Sequence, residues 1–470
     1  MFTSLSLRFR IFLLFAGVTA GSILVVGFSL YFGFLRTTET SPASGFVFAA
    51  ILSGFGLLAI SAGVWLLFDE NVAKPIEHMA SAMRTRIHAN TDAPFDLDQA
   101  RYLGDLAPAL RAVSGRLSEV SEDADQLVAE ETSRLTAERA HLALLLTEIP
   151  VAIVLVSPAN RIMLYDGQAA DVLGQVQVPR LSASIFDYFE EADLTSGLEQ
   201  LDEARQEVEA SVRGTRGNLK FRLRLKKLSA ATGYMILIDG TDASIAPDAA
   251  RPLIYDFDLS ARETEREIEN IPLKDISFVV FDTETTGLMP NKDEIVQIGA
   301  VRVVNGRIVE GETLDQLVNP GRPIPPASTK VHGVSDDMVA DAPGAEQAVS
   351  LFHDFARDAV IVAHNAPFDM AFLRRHGRLS GLAWEHPILD TVLLSAVVFG
   401  TGEDHSLDGL CDRLGVEIPD NLRHTALGDA RATAEALCKL LPVLISLGFE
   451  TFGQVVQQTR RHGRLLKDLN

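Results

Sequence analysis

The sequence predicts an α/β fold for its C-terminal part, preceded by a smaller α/β domain and by an α-helical N-terminal region. Three observations support this prediction. Two long stretches without charged residues lie at 11–35 and 46–68. Short strand patterns recur between residues 143 and 242. Beyond residue 276, buried strand patterns alternate with helical patterns, which is typical of a sheet covered by helices.

The N-terminal region, residues 1–68, has the pattern of a two-helix transmembrane anchor. Each uncharged stretch is long enough to cross a bilayer core of about 30 Å. Arginines precede the first stretch and basic residues follow the second, which favours a cytoplasmic location for both ends of the chain. We therefore expect a multi-pass protein of the cell inner membrane, with two spans and a catalytic domain in the cytoplasm.

Residues 69–118 resemble a HAMP domain, a helix–linker–helix module that follows a transmembrane segment. The supporting residues are Lys74-Pro75 near the first helix start and Gly104-Asp-Leu106 before the second helix. HAMP modules work as parallel dimeric bundles, so the resemblance implies a homodimer; an amphipathic helix pair beside the membrane is the alternative. Residues 119–142 predict a charged linker helix, which is either a short dimerising segment or a solvated connector.

Residues 143–242 resemble a PAS domain. A helix end runs into a strand near Val151, Ile162–Tyr165 predicts the next strand, and residues 234–242 resemble the closing strand. No Cys or His occurs between residues 151 and 240, which excludes a cysteinyl-flavin photoreceptor and an internal axial haem histidine. The resemblance therefore leaves a small ligand, or none, and a role in dimerisation or signal relay.

Charge restricts the nucleic acid partners of the chain. A net charge of −21 argues against an extended basic groove for duplex DNA, but not against an acidic site that binds a strand end through metal ions. Residues 218–227 alternate basic and apolar side chains, which predicts a half-buried strand with a solvated basic face. Contact of that face with anionic lipid or nucleic acid is the alternative.

Residues 243–275 contain prolines and a charged run, which predicts a linker between the PAS-like region and the C-terminal part.

Two carboxylates lie at the end of a predicted buried strand in the stretch Phe278–Leu288. Asp282 and Glu284 are two residues apart, and residues at that spacing share one face of a strand. Two carboxylates on one face repel each other unless a cation lies between them. Mg²⁺ and Mn²⁺ prefer oxygen ligands, so the pattern indicates a metal site.

Later stretches add two more carboxylates and a histidine. Asp369 closes the motif His364-Asn-Ala-Pro-Phe-Asp369, which follows a second apolar run. Asp429 comes five residues after His424. That spacing does not place both residues on one helix face, so we expect His424 before or in the first turn of the helix that contains Asp429. Asp390 either supports the metal site or caps the following helix.

Together these motifs resemble the DnaQ-like (DEDDh) 3′–5′ exonucleases, and among them the DNA polymerase III epsilon-like branch. The resemblance covers residues 276–447, before a tail at 448–470, and implies a ribonuclease H-like α/β fold. It implies that the four carboxylates hold two Mg²⁺ (or Mn²⁺) ions and that His424 acts as general base toward the attacking water. The positions that match the family's substrate contacts are Thr283, Thr285, Leu288, His364, Asn365 and Phe368.

The sequence thus predicts a membrane-anchored, metal-dependent exonuclease that hydrolyses phosphodiester bonds at the 3′ end of single-stranded DNA and is regulated by its upstream modules. An exonuclease directed at RNA is one alternative. A membrane signalling or scaffold protein whose nuclease fold binds nucleic acid without cleavage is another. The complete set of four carboxylates and His424 argues against this second alternative.

Overall fold

The structure is a computed structural model. It describes residues 7–36, 42–89, 103, 109, 151–201, 205–216, 219–228, 233–239, 253–256, 267–419 and 422–470. The linker helix expected at 119–142, almost all of the second half of the HAMP-like region and the first residues of the PAS-like region lie outside these ranges. The chain divides into two compact units, one with residues 1–87 and 92–128 and one with residues 88–91 and 129–470.

The first unit is helical in its described part. It contains α1 (Leu7–Leu35), α2 (Pro42–Phe68), a π-helical turn (Asp69–Ala73) and α3 (Lys74–Ala89). The segments Leu13–Leu35 and Ala43–Ala89 contain helices that are long and apolar enough to cross a membrane. α3 lies where the sequence predicts the first HAMP-like helix.

The second unit begins with an antiparallel sheet, which together with its helices is called the antiparallel-sheet domain (151–256). Its strand order is β3-β4-β5-β1-β2-β6. The strands are β1 (Ala152–Val156), β2 (Ile162–Tyr165), β3 (Glu207–Arg213), β4 (Lys220–Lys227), β5 (Tyr234–Asp239) and β6 (Ile254–Tyr255), with α4 (Gly167–Gly174) and α5 (Glu191–Leu198) between β2 and β3. As predicted, β4 buries its apolar residues and exposes most of its basic ones.

The segment 243–275 was predicted to be a linker, but the ends of it that the structure describes are folded. Ile254 is buried in β6, which pairs with β2. Leu273 is fully buried, and its N–H donates to the carbonyl of Glu450. Both residues are apolar and are buried on a folded domain, so the described ends of the segment contribute to the two domains that it connects.

A mixed five-stranded sheet follows, and residues 267–470 are called the mixed-sheet domain. Its order is β11-β10-β7-β8-β9; β10 is parallel to β7 and β11, and the other neighbours are antiparallel. The strands are β7 (Phe278–Thr285), β8 (Ile295–Val304), β9 (Arg307–Leu317), β10 (Val360–Ala363) and β11 (Ile388–Asp390). Asn305 and Gly306 form the hairpin turn between β8 and β9, and both have positive φ.

Helices cover both faces of this sheet. They are α6 (Pro326–His332), α7 (Asp336–Val339), α8 (Ala345–Phe355), α9 (Ala366–Leu379), α10 (Thr391–Phe399), α11 (Leu407–Leu414), α12 (Ala426–Ser446) and α13 (Phe452–Thr459). α10 to α13 pack on one face, and α8 and α9 pack on the other. The predicted boundary at 447 falls too early, because Phe452 and Val455 are buried in the same core as α12.

The two sheet domains meet through a buried polar network centred on Glu312 of β9. Its carboxylate accepts hydrogen bonds from the Tyr165 hydroxyl (2.8 Å) and the Leu181 N–H (2.5 Å) of the antiparallel-sheet domain. It also forms an ion pair with Arg302 of β8, at 2.8 Å. Apolar side chains of both domains pack around the network, among them Val304. The domains therefore share a desolvated interface.

Candidate active site

Strand β7 places Asp282 and Glu284 on the same face of the mixed sheet. Residues 278–281 are fully buried, and along the rest of the strand half-buried positions alternate with buried ones. Asp282 and Glu284 take the half-buried positions. In the β7–β8 pairing Asp282 lies opposite Gly299, and Glu284 lies opposite Gln297. The alternation predicted from the D-x-E spacing is therefore present.

The N-terminus of α12 brings Asp429 to these two carboxylates. This close approach requires a glycine at position 299, because a Cβ there would lie 2.1 Å from the backbone of Ala426 and Leu427. The Gln297 side-chain oxygen also accepts a hydrogen bond from the N–H of Ala426, at 3.3 Å. As a result, one carboxylate oxygen from each of Asp282, Glu284 and Asp429 lies within 4.8 Å of the others.

Asp369, in the first turn of α9, completes the set of four carboxylates. It is buried, and it is held against β7 by Thr283. The Thr283 hydroxyl donates to Asp369 Oδ1 at 2.5 Å, and the Thr283 N–H donates to the same oxygen at 3.2 Å. Asp369 is absent from the group of three whose oxygens lie within 4.8 Å of one another, so the structure places it beside that group.

Burial disfavours ionisation of all four carboxyl groups, and repulsion from the other carboxylates adds to this for Asp282 and Glu284. Burial, and then the charges of Asp369 and Glu284, raise the pKa of Asp282 well above its usual range. Burial raises the pKa of Glu284 to about 8 and that of Asp369 to about 7. The pKa of Asp429 is also raised by burial, although the nearby His424 partly offsets this. A divalent cation would stabilise the ionised forms, so the donor set fits such an ion.

His424 lies two residues before α12, and Asp429 lies in the first turn of that helix, which is the arrangement that their spacing predicts. The His424 side chain is exposed, and its backbone has a positive φ of 58°. Thr425 then caps the helix by accepting a hydrogen bond from the N–H of Gly428. The left-handed residue and the cap turn the chain sharply and leave His424 at the solvent side of the carboxylates.

Comparisons with known proteins agree with this geometry. The exonuclease family profile matches residues 279–437. A protein of Rhodobacter capsulatus, described as a DNA polymerase III subunit epsilon-like protein, is 32% identical over 99% of each chain. The chain belongs to this epsilon-like family. The predicted family is thereby confirmed, and the mixed-sheet domain is a ribonuclease H-like exonuclease domain and is called the exonuclease domain below.

Other relatives of the epsilon-like chain match a smaller part of it. The PolC-type DNA polymerase III of Caldanaerobacter subterraneus is 40% identical over 38% of this chain, but the match covers 12% of that relative. Among solved structures, Exonuclease X in complex with 5′ overhanging duplex DNA is 29% identical over 39% of this chain and 99% of its own, with a TM-score of 0.31. Escherichia coli Exonuclease I with a dT13 oligonucleotide is 19% identical over 37% of this chain and 42% of its own, with a TM-score of 0.33.

The predicted substrate contacts of the epsilon-like chain differ in exposure. Leu288 is 83% exposed in the loop after β7, whereas Thr283 and Thr285 are buried. Thr283 bonds to Asp369, and the Thr285 hydroxyl donates to the carbonyl of Gly287. Leu288 is therefore available to a ligand, while the two threonines hold the strand end in place.

The second predicted group of contacts surrounds the start of α9. His364 is half-buried, its Nδ1 lies 2.9 Å from the Thr391 hydroxyl, and burial lowers its pKa to about 4. Asn365 is exposed and has a positive φ of 65° at the helix N-cap. Phe368 packs edge-on against Phe372, with 5.3 Å between the ring centroids. Of these predicted contacts, Asn365 is the one that the solvent reaches most freely.

Asp390 caps the starts of two helices, which is one of the two roles expected for it. Its carboxylate accepts hydrogen bonds from the N–H groups of Val392, at the start of α10, and of Asn365 and Ala366, at the start of α9. His332 and His405 are buried; His332 Nδ1 accepts from the N–H of Val334, and His405 Nδ1 lies 2.9 Å from the Ser395 hydroxyl.

Two positioning residues, Gln297 and Gly299, escaped the sequence analysis. Both lie in an apolar run that predicts a strand, and neither belongs to a carboxylate motif. Their importance depends on the approach of α12, more than a hundred residues later in the chain. The only local indications of their role were a glutamine and a glycine within a strand made mostly of β-branched residues.

Proposed function

We propose that this chain is a membrane-anchored 3′–5′ exonuclease that removes nucleotides from the 3′ end of single-stranded DNA. The observation that supports it best is the convergence of Asp282, Glu284 and Asp429 from two elements, with Asp369 beside them and His424 at the rim. The names of the relatives refer to DNA polymerase III, which favours DNA over RNA as the substrate.

The four carboxylates would hold two divalent ions, which we propose are Mg²⁺ or Mn²⁺. When bound, such ions supply charge stabilisation for the attacking and leaving oxygens of the phosphodiester. Glu284 and Asp369, whose pKa values are about 8 and about 7, must lose their protons to bind a cation. Thr283 keeps Asp369 in place through two hydrogen bonds, so the donor set is ordered before the ions bind.

His424 is proposed as the general base that takes a proton from the attacking water. The imidazole of a histidine can accept a proton from water near neutral pH, which suits this role. Its exposed position at the entrance to α12 lets the side chain face both solvent and the carboxylates. Leu288 and Asn365 are proposed to contact the terminal nucleotide. The buried Thr283 and Thr285 and the half-buried His364 and Phe368 are proposed to shape the site from behind.

We also propose that α1 and α2 anchor the chain in the cell inner membrane, with the exonuclease domain in the cytoplasm. Their length and apolar composition support this, as do the basic residues on either side of them.

The antiparallel-sheet domain is proposed to be a PAS-like regulatory module, which takes a small ligand or none. The order of its first five strands, 2-1-5-4-3, and the two short helices after β2 support the assignment. A HAMP-like region before it would favour a homodimer. The buried contacts of Glu312 with Tyr165 and Leu181 provide a route by which this module could affect the exonuclease domain.

The test uses the full chain in detergent, because removal of the antiparallel-sheet domain would expose the Arg302–Glu312 pair. Single-stranded DNA and RNA oligonucleotides, labelled at the 3′ or 5′ end, are incubated with Mg²⁺ or with EDTA. We expect stepwise shortening of DNA from the 3′ end, and its loss in EDTA. Asp282→Ala should abolish it, whereas Asp341→Ala, which alters an exposed aspartate of the same domain, should not.

Other outcomes would redirect the proposal. Faster shortening of RNA than of DNA would favour the RNA-directed alternative. Intact substrates with both Mg²⁺ and Mn²⁺, combined with retained binding of oligonucleotides, would favour a nucleic acid-binding scaffold. Cleavage that survives Asp282→Ala would exclude the proposed carboxylate site.

A further inference from the structure

A cleft lined by arginines lies between the antiparallel-sheet domain and the exonuclease domain. Arg161 and Arg180 line it from the first domain, and Arg302 and Arg357 line it from the second. Its volume is about 40 Å³. We call it the arginine cleft. It lies beside Ser277, which precedes β7, whereas Asp282 and Glu284 occupy the other end of that strand.

The cleft has more cationic than anionic groups in its lining. Asp358 is the one carboxylate among the lining residues, and its oxygen lies 3.7 Å from Arg180. The other acidic partners of these arginines, Asp187, Glu312 and Asp354, do not line the cleft. Arg180, Arg302 and Arg357 are therefore paired with carboxylates from outside the cleft, whereas Arg161 has no carboxylate partner within 4 Å among the described residues.

Arg180 is the centre of the arrangement. Its side chain is 1% exposed, and its two terminal nitrogens donate to Asp187 and to the carbonyl of Arg357. Its Nε is buried and has no hydrogen-bond partner. A buried donor without a partner costs about 1–3 kcal/mol, so a ligand that accepts a hydrogen bond there would be stabilised.

Repulsion inside the cleft also favours an anion. The Arg302 side chain is 2% exposed and pairs with Glu312. Burial lowers the pKa of Arg302, the charge of Glu312 partly offsets this, and the charge of Arg180 adds a smaller lowering effect. Arg161 donates to the carbonyl of Ser182 and forms no ion pair within 4 Å with a residue in the described ranges. Arginine stays protonated in proteins, so the charge of Arg161 is balanced by binding an anion rather than by deprotonation.

We propose that the arginine cleft binds a phosphoryl group, held jointly by the two domains. The planar fork of guanidinium donors matches the oxygens of phosphate. The cleft exceeds the roughly 10–15 Å³ that a cavity needs to hold one water and is far below the roughly 300 Å³ of a small-molecule pocket. It therefore admits the phosphoryl group alone, either as inorganic phosphate or as the end of a mononucleotide whose remainder stays outside.

The test is isothermal titration calorimetry of the full chain in detergent with EDTA. The probes are inorganic phosphate, deoxyadenosine 5′-monophosphate and, as a control without a phosphoryl group, deoxyadenosine. Asp282→Ala serves as the background, so that binding at the carboxylates does not contribute. We expect saturable binding of at least one phosphoryl probe and none of deoxyadenosine; equal affinities would indicate free phosphate, and tighter nucleotide binding would indicate a mononucleotide.

Two variants, one from each wall of the cleft, test whether the phosphoryl probe binds in the arginine cleft. Arg161→Gln and Arg357→Gln should each weaken binding about tenfold, since each removes charge-assisted hydrogen bonds. Arg222→Gln, which alters an exposed arginine of β4, should leave the affinity unchanged. Absence of saturable binding in the parent chain would overturn the proposal. It would also be overturned if both cleft variants bound the probe with the affinity of the parent chain and had an unchanged circular dichroism spectrum. Because binding is measured without catalysis, this result is independent of the exonuclease assay.

Discussion

At the scale of single residues, His424 provides the sharpest test of the proposed chemistry. His424→Ala should lower kcat by about 10²–10⁴-fold, because a positioned general base contributes about that much to proton transfer. KM should change little, since the side chain is exposed at the rim and the carboxylates remain in place. Single-turnover cleavage of a labelled DNA oligonucleotide measures the effect, and His462→Ala in the C-terminal segment is the matched control. A kcat within about twofold of the parent would remove His424 from the mechanism.

Asp166 gives a residue-scale prediction about pH. It caps α4, and its Oδ1 accepts from the N–H groups of Ala169 and Ile153, at 2.7 and 3.1 Å. Burial nevertheless raises its pKa from 3.8 to about 6. A carboxyl group with a raised pKa stabilises the fold when protonated. That contribution is complete below about pH 4 and is lost as the pH rises through 6.

The comparison of Asp166→Asn with the parent chain isolates this contribution. Each pKa unit corresponds to about 1.4 kcal/mol, so the parent should lose roughly 3 kcal/mol relative to the variant between pH 4 and pH 8. Thermal unfolding of both chains across this range gives the difference, in which other titrating groups cancel. Parallel stability curves would show that the pKa of Asp166 is not raised.

The functional residues that could be predicted are those that belong to a short sequence motif. The four carboxylates and His424 belong to short motifs that can be recognised in the sequence. Gln297 acts through the N–H of Ala426, and Arg302 and Glu312 act through a domain boundary. Such contacts exist only after distant segments have come together, so no local pattern indicates them.

At the scale of elements, the closeness of α12 and β8 is the feature most sensitive to substitution. Gly299→Ala should move the start of α12 away from β7, because the added Cβ would lie 2.1 Å from the backbone of Ala426 and Leu427. We expect a loss of about 1–3 kcal/mol in unfolding free energy and a larger loss of metal affinity, since Asp429 moves with the helix. Thermal unfolding and calorimetry with Mn²⁺ measure the two effects.

Gly344→Ala is the matched control for that substitution. Gly344 has φ of −68°, and no atom lies within 4 Å of the position that its Cβ would take. The control should leave both stability and metal affinity close to the parent values. Equal behaviour of the two alanine variants would show that α12 does not depend on the glycine in β8.

Elements with long patterns were predicted well, and short ones were not. β7 lies within the stretch Phe278–Leu288 in which a strand was predicted, because this segment has a continuous apolar pattern. β6 has two residues and α13 has eight, and both lie in segments predicted as linker or tail. A two-residue strand shows no periodicity, and its pairing with β2 is decided by the neighbouring sheet.

At the scale of the whole molecule, the second unit should behave as two domains with one shared interface. Tyr165→Phe removes the hydrogen bond to Glu312 and should cost about 1–3 kcal/mol in the full chain. In a Glu312→Gln background the same change should cost less, which a double-mutant cycle of thermal unfolding measures. Tyr234→Phe, which breaks a bond to Asn160 within one domain, should cost the same in both backgrounds. Additive effects of Tyr165→Phe and Glu312→Gln would show that the interface bond does not couple the domains.

The burial of β8 also has a consequence for synthesis on the ribosome. All ten residues of this strand, Ile295–Val304, are buried, and one of the surfaces that covers them is α12. The start of α12 emerges about 120 residues later, which at about 5–20 residues per second leaves an apolar, β-prone segment uncovered for roughly 6–25 s. Nascent chains stalled before residue 426 should therefore be cleaved rapidly within β8 by added protease, whereas chains released after residue 470 should resist. The strand that supports the active site is thus the segment of this domain most exposed to aggregation while the protein is being made.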